Sequence, residues 1–478
     1  MFKDKEQRTK FIQISLFILT LIATTISGAE WMTGKSLFYG ETTITEAELW
    51  KGLYFSIPFL LILTVHEFGH YFTAKYHKVK VTLPFYLPVW LGFLPGFQSI
   101  GTMGAFIKIK DMIDSRKKYF DIGIAGPLAG FVIALFLLIY AFANLPARES
   151  IYEIHPDYEK YGLDYADKIY TYDYNVAQHY EAYQRQRATD SLTYLSENET
   201  NGVWGGYPPF EPWPEYTSFS LGSNLLFECL EYILVSDPKN VPNQFEMMHY
   251  PLLFAGFLAL FFTSLNLLPI GQLDGGHILY GLVGAKNHKW VSRIIFVGLV
   301  YYAGLGIIQP FAMSEMLIDE LIYFGFVYLC FYKFTPNNRD RIMYALGVIV
   351  AQMSTSILIP SAQGYAGWLL FSFLLGRVLG IYHPPVLIDT PLDLNRKILG
   401  WITLGIFIIS FSPEPFKTEI YYSKEVKSEM PGILSDTKPS PNSVLIDMPN
   451  SRPLASNKSI NSGEEIKVLD ASPEGSKN

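Results

Sequence analysis

Long apolar runs recur along the chain and are separated by shorter polar segments. A helix needs about 20 consecutive apolar residues to cross the roughly 30 Å hydrocarbon core of a bilayer. The pattern therefore predicts an all-α polytopic membrane protein, built as a multi-span helical bundle. The predicted spans lie near 11–28, 51–74, 121–145, 249–270, 290–308, 317–334, 342–360, 364–380 and 398–412, of which the last two are short. The first run is longer than the apolar part of a usual signal peptide, so we interpret it as a retained anchor.

The composition supports this interpretation. Of the 478 residues, 50% are hydrophobic and only 17% are charged, against about 25% charged in an ordinary soluble domain. These values argue against a disordered chain, a coiled coil and a nucleic-acid-binding protein. Two cysteines, Cys229 and Cys330, are too few for a disulfide framework or a thiolate metal site.

Charge is distributed unevenly between the loops, and this predicts the orientation. Lys and Arg are concentrated before the first span, in the 75–119 loop and at Lys286, Lys289 and Arg293, which we interpret as cytoplasmic segments. The 146–247 stretch carries 17 Asp and Glu against six Lys and Arg and is rich in Tyr. It should therefore lie on the opposite side of the membrane, as a small inserted domain.

These boundaries divide the chain into five predicted regions. They are N-terminal spans with a basic loop (1–145), the acidic insertion (146–247), a fourth span (248–285), additional C-terminal spans (286–412) and a disordered tail (413–478). The tail is predicted because Ser, Pro, Asn, Lys and Glu dominate it and no apolar period persists.

The second span contains the sequence His66-Glu67-Phe68-Gly69-His70. Positions i and i+4 of a helix lie on one face, so both imidazoles can bind one metal ion, and Glu67 is placed to act as a general base. The alternatives are a chance match and histidines that are merely hydrogen-bonded between packed helices. Ionisable groups inside a membrane are costly and are usually functional, which favours the metal site.

Two histidines and a water leave a tetrahedral zinc one protein ligand short. Asp274 is the strongest candidate, because the fourth span runs inward and brings it to the same leaflet as the two histidines. A plain helix end is the alternative. His277 is better interpreted as a neighbour of the ligands than as a fourth ligand. Asn266 is placed to hydrogen-bond a peptide carbonyl or oxyanion, or else a neighbouring helix.

The motifs HEFGH at 66–70, GTMGAFI at 101–107, AGPLAG at 125–130 and NLLPIGQLDGG at 266–276 occur in an order that resembles the site-2 protease family of intramembrane zinc metalloproteases. The segment His383-Pro384-Pro385, with Pro391-Leu392-Asp393 and Arg396, resembles the C-terminal region of one branch of that family, and we recognise no PDZ domain in the chain. The resemblance implies one Zn²⁺ per chain bound by His66, His70 and Asp274, with Glu67 as base.

The family resemblance also implies the reaction and the partners. The expected activity is hydrolysis of peptide bonds in or beside the transmembrane segment of a protein substrate, which another protease usually trims first. A bacterial inner membrane is the first expectation for the location, and a chloroplast membrane is the second. Nucleic acid is not an expected partner, whereas the lipid bilayer is.

The region 81–107 is too rich in Pro and Gly for a regular span, and 104–109 predicts a short strand. In the family this strand resembles an edge near the active site, so Gly104, Ala105 and Phe106 are candidate substrate-binding residues through β-augmentation. A re-entrant loop that only covers the site is an equal alternative. Gly126 and Gly130, one helical turn apart, predict close packing of the third span against a neighbour.

Two other functions compete with proteolysis. One is a non-proteolytic membrane chaperone or scaffold with the same fold, although such a protein should have lost His66, Glu67 or Asp274. The other is a metal transporter, although transport favours successive polar sites along a pathway, and the later spans are largely apolar.

Overall fold

Each of the predicted apolar runs falls on helical residues in the computed structural model, which describes residues 5–40, 42–94, 97–197, 210–308 and 317–423. Most of the predicted tail lies outside these residues. The helices are numbered in chain order, and α5 to α7 belong to the insertion. Those of the apolar part are α1 (Lys5–Thr33), α2 (Glu46–Lys51), α3 (Leu53–Tyr76), α4 (Arg116–Ala143), α8 (Pro251–Leu267), α9 (Asp274–Ala303), α10 (Leu317–Cys330), α11 (Asn338–Leu358), α12 (Gly367–Phe373) and α13 (Leu394–Ser410).

Four helical segments are long and apolar enough to cross a bilayer within the described ranges: α1, the joined α2–α3 segment, α4 and α11. The predicted polytopic helical fold is confirmed, whereas the predicted number of nine spans is not matched by this criterion. Helix α8 has 17 residues, which at 1.5 Å per residue span only about 26 Å.

The predicted cytoplasmic loop around Lys286, Lys289 and Arg293 is wrong as a structural assignment, because these residues are helical and belong to α9. Gly284, with φ of +77°, changes the direction of the backbone inside that helix. A positive φ is accessible to glycine at little cost. The chain therefore turns there without leaving helical structure for more than one residue.

The centre of the fold is the packing of α3 against α4, with α8 and α9 against α4. Large apolar side chains fill the contacts, including the fully buried Phe55, Leu138, Phe254 and Phe257. Gly69 of α3 lies against α4 so closely that a Cβ atom there would be 2.5 Å from the carbonyl oxygen of Ala125. This close approach brings the HExxH face of α3 onto α4.

Two strands lie between α3 and α4 in the sequence. Strand β1 (Phe85–Val89) pairs antiparallel with β2 (Gly101–Phe106), with Phe85 opposite Phe106 and Val89 opposite Gly101. The predicted strand at 104–109 therefore begins and ends three residues too late. Gly101 packs on α1, where a Cβ would lie 2.5 Å from the backbone nitrogen of Thr24, so the strand starts at the helix surface.

The insertion at 146–247 is folded over its described residues. Ile151, Tyr165 and Ile169 are buried among surrounding tyrosines and form a small apolar cluster. Its elements are 3₁₀ helices at Arg148–Glu153, Pro156–Asp164, Pro238–Asn240 and Met247–His249, helices α5 (Ala166–Ile169), α6 (Tyr172–Glu197) and α7 (Leu225–Leu234), and strand β3 (Glu215–Leu221).

Strand β3 pairs antiparallel with β4 (Phe416–Tyr422), which follows α13. The range 413–478 predicted as a disordered tail therefore contains a strand near its start, and residues 424–478 lie outside the described part of the chain. Alternating half-buried and exposed positions in β4 explain why no apolar run was visible in its sequence. Cys229 is exposed and Cys330 is buried, and neither forms a disulfide.

Candidate active site

His66, Glu67 and His70 occupy one turn of α3, and all three side chains are buried. The Nε2 atoms of the two histidines are 3.0 Å apart. Nδ1 of His70 is 2.7 Å from the carbonyl oxygen of Ile122. Because a carbonyl only accepts, Nδ1 carries the proton and Nε2 is left with a lone pair. The backbone of α4 thus orients this ring for metal binding.

Asp274 begins α9 and supplies the third group. Its Oδ2 atom is 3.4 Å from Nε2 of His66 and 3.2 Å from Nε2 of His70. A tight turn after α8 makes this approach possible, and Gly271 in the turn has φ of +63°. The first turn of a helix is also electrostatically favourable for a carboxylate. The structure therefore brings together the three residues predicted as metal ligands.

The spacing of these atoms fits zinc. Ligand atoms at 2.0–2.1 Å from a tetrahedral zinc ion are separated by about 3.3–3.4 Å, and the three separations here are 3.0, 3.2 and 3.4 Å. Two imidazole nitrogens and one carboxylate oxygen are a donor set that zinc prefers, with a fourth position left for water or substrate. His277 is not part of this ligand group.

Two glycines of α4 face the two histidines. A Cβ at Gly126 would lie 2.5 Å from both Cδ2 and Cε1 of His70 and closer still to its Nε2, and one at Gly130 would lie 3.1 Å from Cβ of His66. The sequence predicted close helix packing at these glycines, and the structure shows that the neighbour is the ligand face of α3. The four-residue spacing of the two glycines equals that of the two histidines, and it is the feature of the sequence that indicates this pairing.

The predicted substrate-binding residues lie at different distances from this centre. Gly104 lines a cavity of about 20 Å³ together with His66 and Asn266, which is room for about one water molecule. Nδ2 of Asn266 is 3.5 Å from Nε2 of His66. Ala105 pairs with β1, and Phe106 stacks on a β1 ring and is partly exposed. Of the three, only Gly104 lines this cavity.

Glu67 lies next to the same strand. Its carboxylate lies near the backbone N–H of Ile107, the residue that follows β2. The end of the strand and the predicted base are therefore neighbours. Within the described residues, β2 pairs with no strand other than β1, which leaves its second edge without a strand partner.

The C-terminal segment is tied to α4, the helix that packs against the two histidines. Ile388 forms a β-bridge with Ser115, just before α4. The Arg396 guanidinium donates to both carboxylate oxygens of Asp121, at 2.7 and 2.8 Å. Asp121 immediately precedes Ile122, whose carbonyl orients His70. Sequence reasoning attached no structural role to these residues, because the pairing joins positions more than 250 apart in the chain.

Comparison with known proteins agrees with this geometry. The profile described as Peptidase family M50 matches residues 54–308, more than half of the chain. The chain belongs to peptidase family M50. Family M50 is the site-2 protease family, so the resemblance noted in the sequence is confirmed. The matched range contains every predicted zinc ligand and the predicted base.

Several plant proteins are similar to this M50 chain. It is 22% identical over 265 residues to the probable zinc metalloprotease EGY2, chloroplastic, of Oryza sativa subsp. indica, which covers 55% of this chain and 35% of that protein. It is 25% identical over 250 residues to EGY1 of Arabidopsis thaliana (52% and 31%), and 24% identical over 310 residues to EGY3 of Oryza sativa subsp. indica (64% and 42%), both named probable zinc metalloproteases. The chain thus spans about a third of the length of the curated relatives first matched. No solved structure matches it.

Zinc, the predicted cofactor, is the metal that these names carry and that the His66, His70 and Asp274 donor set fits. The four apolar helices likewise identify the chain as an integral membrane protein.

Proposed function

We propose that this M50 chain is an intramembrane zinc metalloprotease that hydrolyses peptide bonds in or beside the transmembrane segments of membrane-protein substrates. The observation that carries the proposal is the convergence of His66, His70 and Asp274 within 3.4 Å of one another on apolar helices, with Glu67 beside them. Buried ionisable groups in such surroundings are costly, and a hydrolytic metal centre accounts for all four.

The chemistry follows from the roles that these side chains can take. When bound, zinc supplies a Lewis acid for the scissile carbonyl. Glu67 accepts a proton from the attacking water as the new C–O bond forms, and then delivers it to the leaving amide nitrogen as the carbonyl re-forms and the C–N bond breaks. The Asn266 amide donates to the substrate carbonyl oxygen as negative charge develops there. His70 keeps its orientation through Ile122.

Substrate presentation is assigned to β2. A transmembrane helix hides its peptide groups in its own hydrogen bonds, so a segment must unwind before cleavage. An unwound segment can pair with the free edge of β2 through main-chain hydrogen bonds, which tolerate many sequences. Because Glu67 lies near Ile107 at the end of β2, a peptide paired along that edge comes close to the base.

Cleavage of a single-span reporter protein by the purified full chain in lipid vesicles tests the proposal. Glu67→Gln should retain zinc and lose cleavage by at least about 100-fold, since a general base contributes roughly 10²–10⁴. Asp274→Ala should lose zinc as well as cleavage. Full proteolysis by the Glu67→Gln protein would contradict the mechanism.

A matched control is available in the insertion. Glu159 is exposed, so Glu159→Gln makes the same chemical change away from the metal centre and should leave both zinc content and cleavage at the wild-type level.

The same vesicle assay distinguishes proteolysis from the two alternative functions. A chaperone or scaffold would bind the reporter without cutting it, and a transporter would move zinc into the vesicle lumen.

Regulated proteolysis, the partner and the compartment are part of this proposal. A reporter whose outer domain has been removed should be cut faster than the intact one if another protease normally trims the substrate. The compartment was expected to be a bacterial inner membrane first and a chloroplast membrane second. The names of the plant relatives favour the chloroplast membrane and give no support to the bacterial one.

A further inference from the structure

A second group of metal-ligand side chains lies in the insertion, apart from the active site. Nε2 of His155 is 3.3 Å from Nε2 of His249. Oε2 of Glu246 is 3.3 Å from Nε2 of His249 and 3.7 Å from Nε2 of His155. These separations are close to the roughly 3.3–3.4 Å expected between ligands of a tetrahedral zinc ion. The active-site atoms show a comparable range.

Burial makes this arrangement costly without a cation. The Glu246 side chain is 2% exposed and that of His249 is 6% exposed, while His155 is 28% exposed. A buried carboxylate needs a positive partner. Over the described residues, the ion pairs of Glu246 are with these two histidines and include no Lys or Arg.

The remaining atoms of two of these groups are held by hydrogen bonds. Nδ1 of His249 is 2.9 Å from the carbonyl oxygen of Met32 at the end of α1, so Nδ1 carries the proton and Nε2 presents its lone pair to the cluster. The Tyr170 hydroxyl donates to Oε1 of Glu246, which leaves Oε2 for the cluster. Hydrogen bonds of this kind orient the side chains that bind the metal directly.

The local sequence explains how two of the groups meet. Glu246 immediately precedes the 3₁₀ turn Met247–His249, and His249 ends it; in such a turn residues i and i+3 lie directly above one another. Glu-x-x-His is a spacing used by metal ligands on helices. His155 enters from the start of the insertion, where its ring stacks on Tyr158 with centroids 4.5 Å apart and an angle of 16°.

We propose that His155, Glu246 and His249 bind a second Zn²⁺, on the insertion side of the protein. Two imidazole nitrogens and one carboxylate oxygen suit zinc, and water completes the coordination. Because His249 is hydrogen-bonded to the end of α1 and lies two residues before α8, the ion would fasten the start of the insertion to the ends of α1 and α8. This site does not depend on the proposed protease activity.

Zinc stoichiometry tests the proposal directly. The purified full chain is stripped with EDTA, loaded with ZnCl₂, desalted and analysed by mass spectrometry of the metal. The expected values are two Zn²⁺ per wild-type chain, one in Asp274→Ala, one in Glu246→Gln and none in the double variant. A wild-type chain that holds one zinc, lost in Asp274→Ala, would overturn the proposal and would leave the protease proposal intact.

The variants carry their own controls. His179 lies in the insertion and its Nδ1 is 2.8 Å from the Tyr216 hydroxyl, so it has no part in the cluster, and His179→Gln should keep two zinc ions. If Glu246→Gln does not fold, the partly exposed His155 provides the replacement variant His155→Gln, which should hold one. Retention of two zinc ions by a folded cluster variant would place the second ion elsewhere and refute the assignment.

Limited trypsin digestion gives a readout other than metal content. In the Asp274→Ala background only the proposed site can respond to zinc. At 100 times its Kd, zinc should slow cleavage at Arg148, at the start of the insertion, by up to about 100-fold if cleavage requires opening of the site. Digestion that is unchanged by zinc or EDTA would contradict the proposed fastening role.

Discussion

Gly126→Ala is expected to weaken zinc binding although residue 126 is not a ligand. The added methyl would lie 2.5 Å from two ring carbons of His70, whereas ordinary contacts fall at 3.4–4 Å. Helix α4 or the ring must therefore move by at least about 0.9 Å, because Nε2 of the ring is closer still, and metal–ligand distances tolerate only about 0.2 Å. Overpacking of this kind costs about 1–3 kcal/mol. If that cost falls on the zinc-bound state, the Kd for zinc rises roughly 5- to 150-fold.

Competition with a chromophoric chelator measures that Kd. Cleavage of the reporter at limiting zinc should decrease as the Kd rises. Gly130→Ala should have a smaller effect, because its Cβ would lie 3.1 Å from Cβ of His66. Gly347→Ala in α11 is the matched control, since a Cβ there meets no atom within 4 Å and should stabilise the helix by about 0.5–1 kcal/mol. Wild-type zinc affinity in a folded Gly126→Ala chain would refute the steric argument.

Two further changes probe other parts of the site. Asn266→Ala should keep zinc and lower the turnover of the reporter by roughly 10²-fold, as removal of an oxyanion donor does; an unchanged turnover number would show that the amide does not contact the reacting carbonyl. Arg396→Ala removes the two-point contact with Asp121 and, because the guanidinium is partly exposed, should cost only about 1 kcal/mol. A drop in melting temperature of a few degrees, absent in Lys397→Ala, would agree with this, and equal melting curves for the two variants would not.

The active site was predictable because its residues lie in short sequence motifs. His66 and His70 are four residues apart, so any helix places them on the same face, and the orientation of the spans assigns Asp274 to the same leaflet. The geometry between helices was not predictable in the same way. The spacing of Gly126 and Gly130 indicates close packing with a one-turn repeat, but it does not identify His70 as the side chain that Gly126 contacts, because that contact depends on the rotation of α4 about its axis.

The proposed second zinc site shows the same limit more strongly. Glu246 and His249 share a local spacing, but His155 is brought to them by the folding of the whole insertion. In the sequence, Tyr and acidic residues dominate this region, and three scattered ligands do not form a recognisable pattern. The strand at Phe416–Tyr422 was missed for a related reason, since its partner β3 lies about 200 residues earlier.

The pairing of β3 with β4 has a consequence for the order in which the protein is made. About 200 residues separate the two strands, so at 5–20 residues per second the ribosome needs about 10–40 s to complete the partner of β3. During that time Glu215–Leu221 has an open edge that can pair with another chain. Because β4 follows α13 in the sequence, the 146–247 region can complete its β3–β4 pairing only after all the helices of the described residues have been synthesised.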